Sequence, residues 1–117
     1  MFDRKSYLDF IASKASQCDT AGHTPESHGD GLFEHQRKSV DFACERGRAA
    51  MFLDTGLGKS RCEAVFSDEA RRATNKPSLI LTPLAVAKQM KRECESVGVD
   101  ATVVREADDV TSGVNIA

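Results

Sequence analysis

Residues 49–60 read AAMFLDTGLGKS, and this stretch decides the fold. The apolar run at 49–53 has no helical periodicity and is bounded by Gly47 and a polar turn, which predicts a strand buried on both faces. The glycines that follow, and the periodic apolar residues beyond Ser60, predict a tight turn leading into a helix. A strand that ends in a Gly-rich turn at a helix N-terminus is the local setting that phosphate binding requires.

The rest of the chain repeats this alternation of strand and helix. Downstream, residues 78–82 and 101–104 are predicted strands, and the helix between them ends at Gly98. Upstream, a helix runs from Phe33 to Gly47. This order, with short connections, predicts an α/β fold with three or four parallel strands, flanking helices and right-handed crossovers, in which the loop at 54–60 joins the first strand to its helix.

The N-terminal part differs in composition. Residues 5–18 predict an amphipathic helix, and residues 19–31 are rich in Gly, Ser, Pro and His without apolar periodicity. We therefore divide the chain into a helix with a flexible loop at 1–31 and a partial domain at 32–117. Tyr7, Phe10 and Ile11 on the first helix are expected to pack into the core rather than to bind a partner.

Composition excludes several classes of protein. The chain has 16 basic and 18 acidic residues, a net charge of −2, which does not suit a protein that coats polyanions. No apolar run approaches the roughly 20 residues of a membrane span, and no secretory signal is present, so we expect a cytoplasmic protein without membrane contact. The four cysteines form no CxxC pair and are expected to be reduced, mostly buried thiols.

The glycine-rich turn carries the strongest chemical signal. Gly56 and Gly58 allow a tight turn with inward N–H groups, Lys59 can reach phosphates, and the Ser60 hydroxyl can ligate Mg²⁺. Position 53, where the full phosphate-binding loop motif has glycine, is Leu53. The match is therefore to the shortened form GxGKS.

Three motifs together resemble the first RecA-like lobe of superfamily-two helicases and translocases, especially the branch of chromatin remodellers and phage helicases. They are residues 32–37 (LFEHQR), similar to the Q-motif, residues 54–60 (DTGLGKS), similar to motif I, and residues 79–84 (LILTPL), similar to motif Ia. The resemblance spans about residues 32–97. It implies a nucleotide site for ATP or ADP with Mg²⁺ formed by Gln36, Arg37, Thr55, Gly56, Gly58, Lys59 and Ser60, with Gln36 reading the adenine. It also implies that Thr82 and Pro83 contact a DNA or RNA strand.

The acidic pair that holds Mg²⁺ in this family, the Walker B motif, has no counterpart after a predicted strand. Asp68-Glu69 falls inside a predicted helix and Asp108-Asp109 in a polar segment, and both pairs are expected to be solvated. Without this pair and the second lobe, nucleotide binding would be weak and the chain alone would not hydrolyse ATP.

Two classes of function follow. The chain is either the N-terminal portion of an ATP-driven nucleic acid translocase, truncated before the Walker B motif, or a stand-alone helicase mimic. The mimic would act as an interaction protein, such as a phage-encoded, anti-CRISPR-like inhibitor of a host nucleic acid machine. In either case a protein partner, the first helix or the C-terminal tail must cover the open sheet edge.

Two other groups of residues could be drawn as binding sites, but each has a simpler structural interpretation. His23 and His28 lie near Cys18 and Asp30 without the spacing of metal ligands, and we interpret them as solvated loop side chains. The basic residues on the helix after residue 84 alternate with Glu93 and Glu95, as on an ordinary mixed-charge helix face.

Overall fold

The computed structural model describes residues 3–15, 22–25, 31–53 and 58–117. Their helices and strands are α1 (Arg4–Ala15), α2 (Glu34–Arg46), α3 (Lys59–Thr74), β1 (Ser78–Ile80), α4 (Ala87–Ser96), β2 (Ala101–Val103) and β3 (Val114–Ile116). Single 3₁₀ turns at Leu84–Val86 and Ala107–Asp109 precede α4 and β3. The predicted α/β class is confirmed. No helix in the described ranges is both long and apolar enough to span a bilayer.

Three helices end at single residues whose backbone adopts a positive φ. Gly47 closes α2 with φ 73°, and its N–H donates to the Ala43 carbonyl at 2.9 Å. Asn75 ends α3 in the left-handed conformation, with φ 53°, and Gly98 follows α4 with φ 77°. These backbone angles suit glycine and asparagine, which explains why the helix ends predicted at Gly47 and Gly98 are accurate.

The sheet has three parallel strands in the order β1-β3-β2. In its register Leu79, Asn115 and Thr102 lie side by side. Because side chains alternate along a strand, Ile80 and Ile116 point to the opposite face, against which α3 and α4 pack. That face forms the core, together with Val65 of α3 and other buried residues.

Two predictions about the strands are wrong. Residues 49–53 form no strand, although Met51 and Leu53 pack against the core. Instead, the middle strand is β3, in the acidic tail where no strand was predicted. A strand exists only where a neighbour accepts its backbone hydrogen bonds, and β3 has neighbours on both sides.

The packing of α1 also differs from the prediction. Tyr7, Phe10 and Ile11 are about half exposed, and α1 contacts no other helix or strand of the described residues. The expectation that these three side chains pack into the core is therefore wrong.

Candidate nucleotide and nucleic acid site

The first turn of α3 carries the described part of the predicted phosphate loop. Gly58 caps the helix in the left-handed conformation (φ 76°, ψ 42°), and its carbonyl accepts the N–H groups of Arg61 and Cys62 at 3.2 and 3.4 Å. Lys59 is exposed and Ser60 half-buried, and the first turn contains no acidic residue. A 16-residue helix that begins with a lysine and has no carboxylate in its first turn favours an anion at its N-terminus. Thr55 and Gly56 lie outside the described residues.

Gln36 lies beside this turn, although 22 positions separate it from Gly58. Its side chain is 2% exposed, and its Oε1 accepts the Phe33 N–H at 2.9 Å, which caps α2. The amide Nε2 lies so close to the Gly58 α-carbon that a Cβ on residue 58 would overlap it. The structure therefore unites two sequence-predicted residues, with the Gln36 amide buried against the loop backbone.

An exposed aromatic pair stands at the start of α2. The rings of Phe33 and His35 stack with centroids 6.1 Å apart and 14° between their planes, and the neighbouring Arg37 is exposed. Sequence reasoning identified Gln36 and Arg37 but gave this pair no role. The sequence feature that could have revealed the pair is the presence of two ring-bearing side chains two positions apart at the start of a predicted helix.

A cleft connects the phosphate-loop helix to β1. It has a volume of about 370 Å³, and its lining includes Lys59 from α3 and Leu81 just beyond β1. Thr82 and Pro83 follow Leu81 directly. The residues predicted to contact nucleic acid therefore lie near the end of β1 that shares a cleft with Lys59. This is the carboxyl end of the strands, where ligands of open α/β sheets bind.

Thr82 and Pro83 differ in accessibility. The Thr82 N–H donates to the Ala117 carbonyl at 2.8 Å, which extends the β1–β3 pairing. Its hydroxyl oxygen is shielded from solvent and has no hydrogen-bond partner in the described part of the chain. Pro83 is exposed, and its carbonyl accepts the Val86 N–H at 2.9 Å in the turn before α4. In this arrangement a nucleic acid strand can reach Pro83 and its neighbours rather than the Thr82 hydroxyl.

The described residues around Ser60 contain no cluster of metal-ligating side chains. Within the described ranges, no three His, Cys, Asp or Glu side chains come together as metal ligands. Glu93 of α4 pairs with Arg61, which follows Ser60 directly, at 3.3 Å. Of the predicted magnesium ligands, the Ser60 hydroxyl lies in the described part of the chain.

The first of the two acidic pairs is not solvated, which corrects the prediction. Asp68 bridges Arg71 and Arg72 at 2.8 and 3.0 Å and has a carboxylate only 14% exposed. Glu69 is 2% exposed, where α3 faces Cys44 of α2. The second pair, Asp108-Asp109, is exposed as expected. Helical spacing alone does not show which side of α3 meets α2.

The loop histidines lie only partly in the described residues. His23 is half-buried, its N–H donates to the Cys44 carbonyl at 2.8 Å, and its Nε2 atom is shielded without a described partner. It is therefore not the solvated side chain that we predicted. Cys18, His28 and Asp30 lie outside the described residues.

Three of the four cysteines are buried free thiols, as predicted, and Cys18 is the one outside the described residues. Burial raises the pKa of Cys44 and of Cys94 from 9.0 to about 11, and nearby carboxylates add to the effect. Burial also raises the pKa of Cys62. These thiols stay protonated at neutral pH and belong to the core.

The comparisons with known proteins found no match: no family model, no curated protein and no solved structure matches this chain.

Proposed function

We propose that this chain binds the phosphates of ATP or ADP at the start of α3, as the nucleotide-binding part of an ATP-dependent nucleic acid helicase or translocase of RecA-like fold. The observation that carries the proposal is the left-handed Gly58 at the N-cap of α3, with Lys59 and Ser60 as the first helical residues. It supports the proposal because it gives the GKS motif a helix N-terminus, where backbone N–H groups and a lysine can meet phosphate.

In this proposal each group at the site has a role. Lys59 binds the terminal phosphates and Ser60 ligates Mg²⁺ together with the nucleotide, while Gly56 and Thr55 complete the loop. Gln36 and Arg37 serve the adenine end, with Gln36 also fixing Gly58 through their contact. Thr82 and Pro83 lie on the path of a DNA or RNA strand. Because the sequence places no acidic pair after a predicted strand, we expect weak binding and no hydrolysis by this chain alone.

Titration calorimetry with ATP and Mg²⁺ tests the proposal. Lys59→Ala should weaken binding at least about tenfold, since it removes a charged phosphate contact. Lys76→Ala is the matched control, because Lys76 is an exposed lysine just beyond the other end of the same helix. Equal heats from the wild type and Lys59→Ala would show that the turn is purely structural.

A second candidate function, a protein that binds and blocks a nucleic acid machine, is favoured by the exposed apolar side chains of α1. It predicts stoichiometric capture of one host protein complex that persists in Lys59→Ala and is lost in the Tyr7→Ser/Ile11→Ser variant. Capture of DNA alone, lost as salt is raised, would instead favour the helicase function.

A further inference from the structure

The side-chain amide of Gln36 is enclosed between the first turns of α2 and α3, where Gln36 is only 2% exposed. On one side Oε1 accepts the Phe33 N–H at 2.9 Å, and on the other Nε2 lies against the backbone of Gly58. The backbone carbonyl of Gln36 also meets α3, since the Sγ of the buried Cys62 lies 4.0 Å from it. Gln36 is therefore fixed in the packing of α2 on α3 by both its side chain and its backbone.

Reading adenine requires a different arrangement of this amide. A glutamine recognises adenine when Oε1 accepts the N6 amino group and Nε2 donates to N7, so both ends of the amide must face the base. In this structure Oε1 caps α2 and Nε2 faces Gly58, and the burial of Gln36 leaves almost no surface for the edge of a base. Turning the amide outwards would leave the partly buried Phe33 N–H without this acceptor, which is unfavourable.

The exposed groups beside Gln36 suit any purine. Phe33 and His35 present a stacked pair of rings, and the neighbouring Arg37 presents a guanidinium charge. A ring stacks on the face of a base, and a positive charge attracts the phosphates of any nucleotide. Adenine and guanine differ instead in the hydrogen-bonding groups at their edges. Contacts of the two kinds offered here therefore do not select adenine.

We infer that Gln36 is a positioning residue, which holds the turn at Gly58 ready for phosphate, and that the site accepts purine nucleoside triphosphates without selecting adenine. The inference rests on the proposed function and deepens it, because Gln36 serves the site through Gly58 rather than through a hydrogen bond to the base. It replaces the adenine-reading role that the helicase resemblance implies for Gln36. Gly58 in turn anchors the first turn of α3, since its carbonyl accepts the N–H groups of Arg61 and Cys62. A turn held in place before the ligand arrives binds it more tightly.

The experiment compares ATP, GTP and ITP by titration calorimetry with the full chain and Mg²⁺. GTP and ITP keep the purine ring and the triphosphate, but they carry an oxygen where adenine has its N6 amino group. We expect the three dissociation constants to agree within about threefold. Binding of ATP about tenfold or more tightly than the other two would overturn the inference and leave the proposed function standing. If none of the three binds, the proposed function fails and the inferred lack of selectivity fails with it.

The variant Gln36→Ala separates holding the turn from reading the base. It should weaken the binding of all three nucleotides by the same factor, about fivefold or more, because each depends on the same turn. Gln89→Ala is the matched control, since Gln89 is an exposed glutamine in the first turn of α4, and it should leave all three affinities unchanged. Loss of ATP binding alone, or equal affinities in Gln36→Ala and the wild type, would contradict the positioning role. The wild-type comparison needs no variant, so it decides the selectivity even if Gln36→Ala does not fold.

Hydrogen exchange tests the positioning role without any nucleotide. The amides of Arg61 and Cys62, which donate to the Gly58 carbonyl, should exchange about tenfold or more faster in Gln36→Ala than in the wild type. The amide of Ala73, in the last turn of the same helix, should change less, which distinguishes local loosening from unfolding of the whole chain. Unchanged exchange at Arg61 and Cys62 would overturn the positioning role, whatever the outcome of the nucleotide titrations.

Discussion

The side-chain amide of Gln36 is packed directly against the α-carbon of Gly58. The same amide holds the start of α2 through the Phe33 N–H, so one buried group connects the first turns of α2 and α3. Gly58 has no Cβ that would obstruct this approach, and its φ of 76° is accessible to glycine. The turn predicted to bind phosphate and the predicted Q-motif therefore meet through a structural contact that needs no nucleotide.

The first prediction concerns Gly58→Ala. Both Gly58 and Gly98 have φ near 77°, so alanine costs about 1 kcal/mol of backbone strain at either position. At residue 58 the new methyl also overlaps the buried Gln36 amide, which must shift away from the position in which it accepts the Phe33 N–H, whereas at residue 98 it meets open space. We expect Gly58→Ala to lower the free energy of unfolding by about 1 kcal/mol more than Gly98→Ala does. Urea denaturation measures both.

A double-mutant cycle separates the contact from the strain. In a Gln36→Ala background, Gly58→Ala should cost no more than Gly98→Ala, because the obstructing amide is gone. An undiminished cost in that background would mean that Gln36 is not the cause.

The second prediction concerns Asn115, a fully buried amide in the middle strand. Its Nδ2 donates to the carbonyls of Ser78, Thr111 and Gly113 at 3.0 to 3.2 Å, and its Oδ1 accepts the Thr111 N–H at 2.8 Å. Asn115→Asp replaces the donor with an oxygen that faces three carbonyls. We expect a loss of about 3 kcal/mol or more at pH 7.

The loss from Asn115→Asp should shrink as the pH falls. Carbonyl oxygens raise the pKa of a buried carboxyl in the folded state, so its destabilising charge is fully present at high pH and removed by protonation. Urea denaturation at pH 4 and pH 7, each against the wild type, checks this. A pH-independent difference would contradict the assignment of the three carbonyl partners.

The third prediction is a loss of stability at alkaline pH. In the unfolded chain Cys44 and Cys94 release protons near pH 9, whereas in the folded protein burial holds their pKa at about 11. The stabilising contribution is therefore fully present below pH 9 and is lost as pH rises towards 11, by about 1.4 kcal/mol per pKa unit for each thiol. Unfolding at pH 8 and pH 10.5 should show a smaller decline in a Cys44→Ala/Cys94→Ala variant than in the wild type. Equal declines would attribute the alkaline loss to other groups.

The fourth prediction concerns α1. Since this helix contacts no other described element, Tyr7→Ser/Ile11→Ser should change the free energy of unfolding by less than about 0.5 kcal/mol. Val65→Ala on α3, where the side chain is 2% exposed, should cost about 2 kcal/mol. Differential scanning calorimetry compares the two variants. A large destabilisation by the α1 changes would place Tyr7 and Ile11 against the core.

The helices and their ends could be predicted from the sequence, because helical hydrogen bonds join residues four apart. Gly47, Asn75 and Gly98 end three helices through their own backbone preferences. The GKS motif likewise predicted a helix that starts at Lys59. The contact between Gln36 and Gly58 could not be read from spacing, because it depends on how α2 packs on α3.

By itself, then, the sequence determined the α/β class, the helices and the helix N-terminus that carries the GKS motif, since all of these follow from interactions between near neighbours. Only the tertiary structure decided which segments pair as strands. The apolar run 49–53 forms no strand, while the polar tail supplies β3, because a strand needs partners on its flanks and, among the described residues, β1 and β2 pair with 114–116. Asn115 can occupy that buried position because its own preceding turn and Ser78 satisfy its amide. Periodicity and composition contain no information about such distant partners.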